Sequence, residues 1–133
     1  MNSTICRWAV IAGVTAGSSG CLLAAAGAGA GGAIYVTDRG VESVVAQPVD
    51  RVFEATKSAF KELGVTETKS SNEQEGTAEK RSVTGSANDR EVTVNLKTES
   101  SGTHVEVVAK KSAVTWDKKF ARTVLDKVVA LSK

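Results

Sequence analysis

The distribution of charged residues divides this chain into two unequal parts. From Trp8 to Val36 there are 29 consecutive residues without a charged side chain, and seven of them are glycines. About 20 apolar residues are needed to span a bilayer, but each glycine in a helix costs roughly 1 kcal/mol relative to alanine. A folded core must therefore come from the rest of the chain, where apolar, polar and charged residues are mixed.

The region around Cys21 has the layout of a bacterial lipoprotein signal. A short start that contains Arg7 precedes an uncharged apolar run, and Ser18-Ser19-Gly20 places small residues directly before the cysteine. A positive start, an apolar run and small residues at the cleavage site are typical of a secretory signal. We therefore predict a signal peptide over residues 1–20 and lipidation of Cys21, with palmitate among its acyl chains.

Two alternatives to the lipoprotein remain open at this point. Lipoprotein signals normally carry leucine or a similar apolar residue three positions before the cysteine, and this chain has Ser18 there. An ordinary secretory signal could end near the same place. The uncharged stretch is also long enough for an uncleaved membrane anchor, in which Gly27 and Gly31 would allow close helix packing. We favour the lipoprotein.

Residues 21–39 form a Gly/Ala-rich segment that we predict to be a tether. Within it, residues 27–32 match the spacing G-x-G-x-x-G of dinucleotide sites, and Asp50 follows about 20 residues later. Such a site also needs a strand before the glycines and a helix that begins at them. Here a signal segment precedes the glycines, and the residues after them indicate extended chain and a turn. We therefore expect no nucleotide and no other cofactor.

A short strand and a helix open the domain that we predict for residues 40–133. Valines favour a strand over 41–46. Pro48 suits the first position of a helix, and Gly64 suits its end. Between them the apolar residues recur at helical spacing. The predicted apolar face comprises Val49, Val52, Phe53, Thr56, Ala59, Phe60 and Leu63.

An antiparallel sheet is predicted for the middle of the domain. Weak strands at 65–69 and 77–83 are separated by a polar turn. Apolar and polar residues then alternate over 92–97 and 104–110, on either side of Ser100-Ser101-Gly102. Two alternating segments across a short glycine-containing turn are typical of a β-hairpin with one apolar face.

A second helix is predicted from Thr115, its expected N-cap, to the end of the chain. Its apolar face includes Phe120 and Leu131, and Trp116 is expected to pack in the core where the helix starts. One-sided helices and a one-sided sheet bury most apolar surface when both helices cover the same sheet face. The predicted fold is therefore α+β, an antiparallel sheet with two helices on one face, in the order β-α-β-β-β-β-α.

Few residues in the domain indicate catalysis or metal binding. His104 is the only histidine, and its alternating position assigns it to the polar face of the sheet. No second histidine or cysteine stands near it to complete a metal site. The carboxylate pairs Glu73/Glu75 and Asp89/Glu91 belong to polar turns or their margins. We therefore predict no catalytic residue and no metal.

The charge balance gives no indication of a nucleic-acid partner. Without residues 1–20 the chain has 16 lysines and arginines against 15 acidic residues. A protein that binds nucleic acid needs a basic patch or stripe. The basic doublets are expected to be solvated surface instead. They are Lys80-Arg81, Lys110-Lys111 and Lys118-Lys119.

Several features together resemble one known family. They are Cys21, the Gly/Ala-rich run that ends near Tyr35, and a helix motif from Asp50 to Gly64 that contains Asp50-Arg51-Val52-Phe53-Glu54-Ala55-Thr56. Two alternating strands and an apolar closing helix follow. The chain resembles the small uncharacterised bacterial lipoproteins of domain-of-unknown-function family 3568. The resemblance implies a lipid-anchored envelope protein and supplies no catalytic residue.

We therefore expect a noncatalytic binding or assembly module at the bacterial cell envelope, anchored to the membrane by the lipid on Cys21. Leu22 rather than aspartate follows the cysteine, so we expect the outer membrane, with the domain facing the periplasm. The partner would be an envelope protein or peptide, and an open sheet edge could accept an added strand. The alternatives are a small envelope enzyme of unknown type and a membrane-inserted glycine-zipper anchor protein.

Overall fold

An antiparallel sheet begins directly after the charge-free stretch and occupies most of the domain. The computed structural model describes residues 33–133, so the predicted signal peptide, Cys21 and most of the predicted tether lie outside the described residues. Along the chain the elements are β1 (Tyr35–Val36), β2 (Gly40–Val45), α1 (Val49–Glu62), β3 (Thr66–Glu75), β4 (Ala78–Ala87), β5 (Arg90–Glu99), β6 (Gly102–Ser112), β7 (Thr115–Trp116) and α2 (Lys118–Leu131).

The seven strands form one sheet in the order β1-β2-β6-β5-β4-β3, and β7 also pairs with β6. Strands β3 to β6 follow one another as a meander, whereas α1 carries the chain from β2 across to β3 at the far edge. Lys110 of β6 pairs with Glu91 of β5 and also with Trp116 of β7, so β7 lies on the same side of β6 as β2.

Both helices pack on one face of the sheet, as the sequence predicts. The inner face of the sheet supplies alternating valines, and α1 and α2 supply the residues that cover them. The α+β class is therefore confirmed. The core includes Val41, Val45, Val52, Phe60, Val83, Val92, Val94, Leu96, Val105, Val107, Val124, Leu125 and Val128, each at most 1% exposed.

The predicted element order is wrong in one respect, because two more strands are present. Strand β1 pairs with the start of β2 across a turn in which the Thr37 amide donates to the Gly40 carbonyl at 2.9 Å. Strand β7 pairs with the end of β6 through Trp116. A strand of two residues shows no alternation, so the apolar pattern gave no sign of either.

Strands β3 and β4 are longer than predicted, and the polar turn expected between 69 and 77 is wrong. The strands pair from Thr66–Ser86 to Glu75–Ala78, and the chain reverses only at Gly76, where φ is +61°. Nine of the ten residues in β3 are exposed, and every one of them is polar. Main-chain hydrogen bonds rather than buried side chains hold this edge strand, so apolar periodicity could not reveal its full length.

The structure confirms the helix predicted between Pro48 and Gly64, which is α1. Pro48 is its N-cap rather than its first helical residue, and Gly64 follows its last turn with φ +70°. The Val65 amide donates to the Phe60 carbonyl at 2.8 Å, which closes the helix end. Its buried residues are Val49, Val52, Ala55, Thr56, Ala59 and Phe60.

Helix α2 begins two residues later than predicted. Asp117, not Thr115, is its N-cap, and one Asp117 carboxylate oxygen accepts a hydrogen bond from the Phe120 amide at 2.9 Å. The other oxygen lies 2.8 Å from Arg90 Nε. Thr115 belongs to strand β7 instead. Leu131, predicted on the apolar face, is 37% exposed at the end of the helix.

Candidate functional site: the open face of the sheet

The sheet face opposite the helices is left uncovered by the described part of the chain. Residues paired across antiparallel strands point to the same face, so the register defines the rows of side chains on it. Two rows cross five strands each. One comprises Glu42, Glu106, Asn95, Ser82 and Ser71, and the other comprises Val44, His104, Lys97, Lys80 and Glu73.

Asn95 of β5 stands at the centre of this face and is held from both sides. Its amide nitrogen donates to Glu106 Oε2 at 3.1 Å, and its amide oxygen accepts from Ser82 Oγ at 3.0 Å. These bonds join β4, β5 and β6 through side chains. The centre of the face is therefore ordered by a polar network rather than by apolar packing.

Two depressions lie on the open face and share Asn95 and Glu106. The first has a volume of about 300 Å³ and reaches toward β3; besides the shared pair, Lys97 and His104 line it. The second has a volume of about 310 Å³ and reaches toward β7, with Trp116 and Arg39 in its wall. Because they share their central residues, the depressions form one continuous surface.

Ion pairs neutralise part of the charge around the first depression. The hydrogen bond from Lys80 and then its positive charge lower the pKa of Glu75, and the same contact raises the pKa of Lys80. His104 Nε2 lies 3.5 Å from Glu42 Oε2. Lys97 forms no ion pair with any other residue in the range 33–133. It therefore presents a positive charge to whatever enters the depression.

The neighbouring Arg81 faces the other way, toward α1. Its guanidinium lies 2.5 Å from Asp50 Oδ1 and 2.6 Å from Glu79 Oε1, and 5.0 Å from the centre of the Phe53 ring. Burial lowers the pKa of Arg81, but the two carboxylates outweigh that effect and leave the pKa raised. This contact fastens the start of α1 to β4, which is a structural role.

Trp116 does not pack in the core, so this prediction is wrong. The residue pairs with Lys110, whose neighbours in register belong to the open face. Arg39 Cζ lies 5.8 Å from the centre of the Trp116 ring, and Lys110 Nζ lies 5.9 Å from it. The pairing of β7 holds the ring within about 6 Å of two cations at the margin of the open face.

The structure also locates the other residues that the sequence singled out. His104 lies on the polar face, as predicted. Glu73 stands opposite Lys80 within β3, and Glu91 stands opposite Lys110 within β5, so both belong to strands rather than turns. Between residues 33 and 133 there is no cluster of three or more His, Cys, Asp or Glu residues that could hold a metal ion.

Neither α1 nor α2 has the length and apolar character needed to cross a membrane. The predicted anchor and lipidation at Cys21 fall on residues outside the described range.

The model of a family of proteins of unknown function, DUF3568, matches residues 4–130 of the sequence. The chain belongs to this family. The match covers the region around Cys21 as well as the complete sheet and nearly all of α2, so the family expected from the sequence is confirmed. None of the curated proteins compared with this DUF3568 chain matches it.

Proposed function

We propose that this DUF3568 protein is a lipid-anchored module of the bacterial cell envelope that binds a protein or peptide partner without catalysis. The lipid on Cys21 would hold it at the outer membrane, facing the periplasm, because Leu22 follows the cysteine. The observation that supports the binding role most strongly is the open face, with its two depressions joined at Asn95 and Glu106.

The open face suits partner binding better than the sheet edge does. Strand addition at β3 would supply main-chain hydrogen bonds, but its specificity depends on pockets for alternate side chains. The side chains of β3 are all polar and almost all exposed, and its pairing with β4 is irregular between Glu67 and Lys69. The open face instead offers hydrogen-bonding groups, unpaired charge and half-buried Val44 and Val108.

The shape of the face suits side chains of a protein partner. Each depression is at the lower limit of the volume typical of small-molecule pockets, which is about 300–1,000 Å³. Lys97 would attract a carboxylate of the partner, and the oxygens of Glu106 and Ser82 would accept hydrogen bonds from donor groups elsewhere on the partner. An acidic or mixed-charge segment lying across β4, β5 and β6 fits this arrangement.

The groups with shifted pKa values support a noncatalytic role. Shifted values mark candidate catalytic groups, but structural ion pairs shift them as well. The shifts of Glu75 and Lys80 arise from their mutual contact at the surface, and that of Arg81 arises from Asp50 and Glu79. Each of these shifts has a structural explanation.

Photo-crosslinking in intact cells tests the partner site directly. A photoreactive amino acid is placed at Asn95, at the centre of the open face, and at Glu54 on the exposed side of α1 as the matched control. We expect a discrete protein adduct from position 95 that is absent from position 54. Lys97→Glu should weaken the adduct, because it reverses the charge in the first depression. Equal labelling from both positions would contradict the proposed site.

A further inference from the structure

Exposed apolar side chains concentrate at one end of the sheet. Among residues 33–133, four large hydrophobic residues are markedly exposed, and all of them except Leu131 lie at this end. Tyr35 (54%) and Val36 (65%) form β1, and Val114 (86%) lies in the turn between β6 and β7. The register places that turn and the β1–β2 turn at the same end, because Gly40 pairs with Val108 and Trp116 with Lys110.

Cations flank these apolar residues along the chain. The β6–β7 turn is flanked by Lys110-Lys111 on one side and by Lys118-Lys119 on the other, and Arg39 joins them from the β1–β2 turn. The sequence predicts that both doublets are solvated surface, and Lys111, Lys118 and Lys119 are indeed exposed. Lys110 and Arg39 lie beside the Trp116 ring, at 5.9 and 5.8 Å from its centre. None of these five cations forms an ion pair within the described chain.

Acidic residues offset this cluster only in part. Between residues 110 and 119 there are four lysines and one acidic residue, Asp117. The Asp117 carboxylate is already engaged by Arg90 at 2.8 Å and by the Phe120 amide at 2.9 Å. The other acidic residues at this end are Asp38 beside Arg39, Glu42 opposite Tyr35, Glu91 opposite Lys110, and Asp89 in the β4–β5 turn. Glu42 lies near His104, which leaves three carboxylates without an ion pair in the described chain against the five cations, so this end keeps an excess of positive charge.

This end of the sheet lies close in sequence to the predicted lipid anchor, which indicates a membrane surface as its binding partner. Arg39 is only six positions after Ala33, where the described chain begins, and Ala33 is twelve positions after Cys21. A chain of that length spans at most about 40 Å. A domain held by lipid at Cys21 therefore stays close to the membrane surface, where tryptophan, tyrosine and lysine side chains favour the headgroup level.

We propose that this end docks onto the anionic headgroups of the bilayer that holds the N-terminal lipid. We call it the basic end; it comprises Tyr35, Val36, Arg39, Lys110, Lys111, Val114, Trp116, Lys118 and Lys119. The proposal rests on the lipid anchor of the proposed function. Docking would orient the domain. The second depression, lined by Arg39 and Trp116, would then face the membrane, and the first depression, with Lys97 and His104 toward the opposite strand ends, would remain open to the partner.

Quenching of Trp116 fluorescence by brominated lipids tests the docking. The chain contains two tryptophans, Trp8 and Trp116. Trp8→Phe therefore makes Trp116 the only tryptophan of the full chain, whether or not the signal is cleaved. The purified full chain is reconstituted with vesicles of brominated phosphatidylcholine alone or with about a third phosphatidylglycerol. We expect strong quenching in the anionic vesicles, weak quenching in the neutral ones, and loss of the difference at about 1 M salt.

A pair of charge-matched variants identifies the surface that docks. Lys118→Ala/Lys119→Ala removes two cations from the basic end, and Lys80→Ala/Lys97→Ala removes two from the opposite end of the open face. Each cation near an anionic membrane contributes about fivefold to the binding equilibrium. We expect the first variant to lower docking by about 25-fold and the second to leave it unchanged. Circular dichroism melting of both variants verifies the fold.

The outcomes separate the docking from the lipid anchor. Equal quenching in neutral and anionic vesicles, or an equal loss in both double variants, would overturn the docking. If the chain is recovered unattached from neutral vesicles, the proposed lipid anchor is contradicted. If anionic vesicles still quench the fluorescence of that chain, and the quenching depends on Lys118 and Lys119, the docking is supported without the anchor.

Discussion

Phe60 of α1 packs directly over Gly85 of β4. A Cβ atom on Gly85 would stand 2.9 Å from Phe60 Cε2, 2.6 Å from Val65 Cγ1 and 2.9 Å from the Thr66 carbonyl oxygen. Phe60 is 1% exposed and is the largest of the fully buried side chains. The helix approaches this part of the sheet closely because β4 has no side chain at Gly85.

Phe60→Ala should lower the free energy of unfolding by about 3–5 kcal/mol, the range for buried aromatic residues. This is a large part of the about 5–15 kcal/mol that stabilises a typical domain. Chemical denaturation of the two proteins measures the difference. Phe53→Ala, at a partly buried position of the same helix, should cost clearly less. An unchanged denaturation midpoint for Phe60→Ala would contradict the assigned helix face.

Gly85→Ala should also destabilise the domain, because the new methyl group would overlap three neighbours. Overpacking in a close-packed core typically costs about 1–3 kcal/mol. In a Phe60→Leu background the cost should be smaller, since one of the neighbours becomes smaller and more adaptable. A double-mutant cycle from denaturant unfolding measures this coupling. Independent, additive effects would show that Phe60 and Gly85 do not share the contact.

Much of the core could be predicted from the sequence, and the reason is periodicity. Apolar residues recur at helical spacing in α1 and alternate with polar residues in β5 and β6. These patterns assign the buried face of each element, and the structure confirms the assignments. Strand β3 has no apolar face, so the sequence indicates only its start, as a weak strand over 65–69. Strand β7 contains only Thr115 and Trp116, so no pattern marks it. The prediction that Trp116 packs in the core is wrong because its position depends on strand pairing with Lys110 rather than on the helical spacing of α2.

The open face could be anticipated only in part. Strand phase placed His104 on the polar side, but it could not show which residues of other strands stand beside it. The neighbours of Asn95 depend on the register of β4, β5 and β6, and the place of Trp116 beside Lys110 depends on the β6–β7 turn. Such relationships are fixed by tertiary pairing and by turn geometry.

The Glu75 carboxyl group should titrate at a pH below its ordinary pKa of 4.5, because the hydrogen bond from Lys80 and its charge stabilise the ionised form. The stability that this contact adds is present above pH 4.5 and is lost as the pH falls through the lower, folded-state pKa. NMR titration of the carboxyl carbon measures the value. Lys80→Ala should raise it, whereas no change in that variant would show that the contact is absent in solution.

Asp117 should contribute to stability in two separable ways. Asp117→Ala removes the N-cap of α2, typically worth about 1 kcal/mol, and also the partner of Arg90. Asp117→Asn keeps a good capping oxygen but removes the charge. We expect the alanine variant to lose more unfolding free energy than the asparagine variant. The difference between them reports the cap, and equal losses would mean that the cap contributes nothing.

Cys21→Ser should release the protein from the membrane fraction or leave its precursor uncleaved, because it removes the acylated thiol. Two or more acyl chains anchor stably, whereas a single chain binds only marginally. Fractionation of cells that produce the wild-type and variant proteins measures the distribution. Cys6→Ser, the control at the other cysteine, should change nothing, since the predicted cleavage removes it. Membrane retention of a processed Cys21→Ser protein would indicate another anchor.

The intact mass of the protein extracted from membranes tests the lipid anchor most directly. The account predicts a chain that begins at Cys21 and carries the added mass of a diacylglyceryl group, with or without a further N-terminal acyl chain. A chain that begins at Met1, or one with a free and unmodified N-terminus near residue 21, would contradict it.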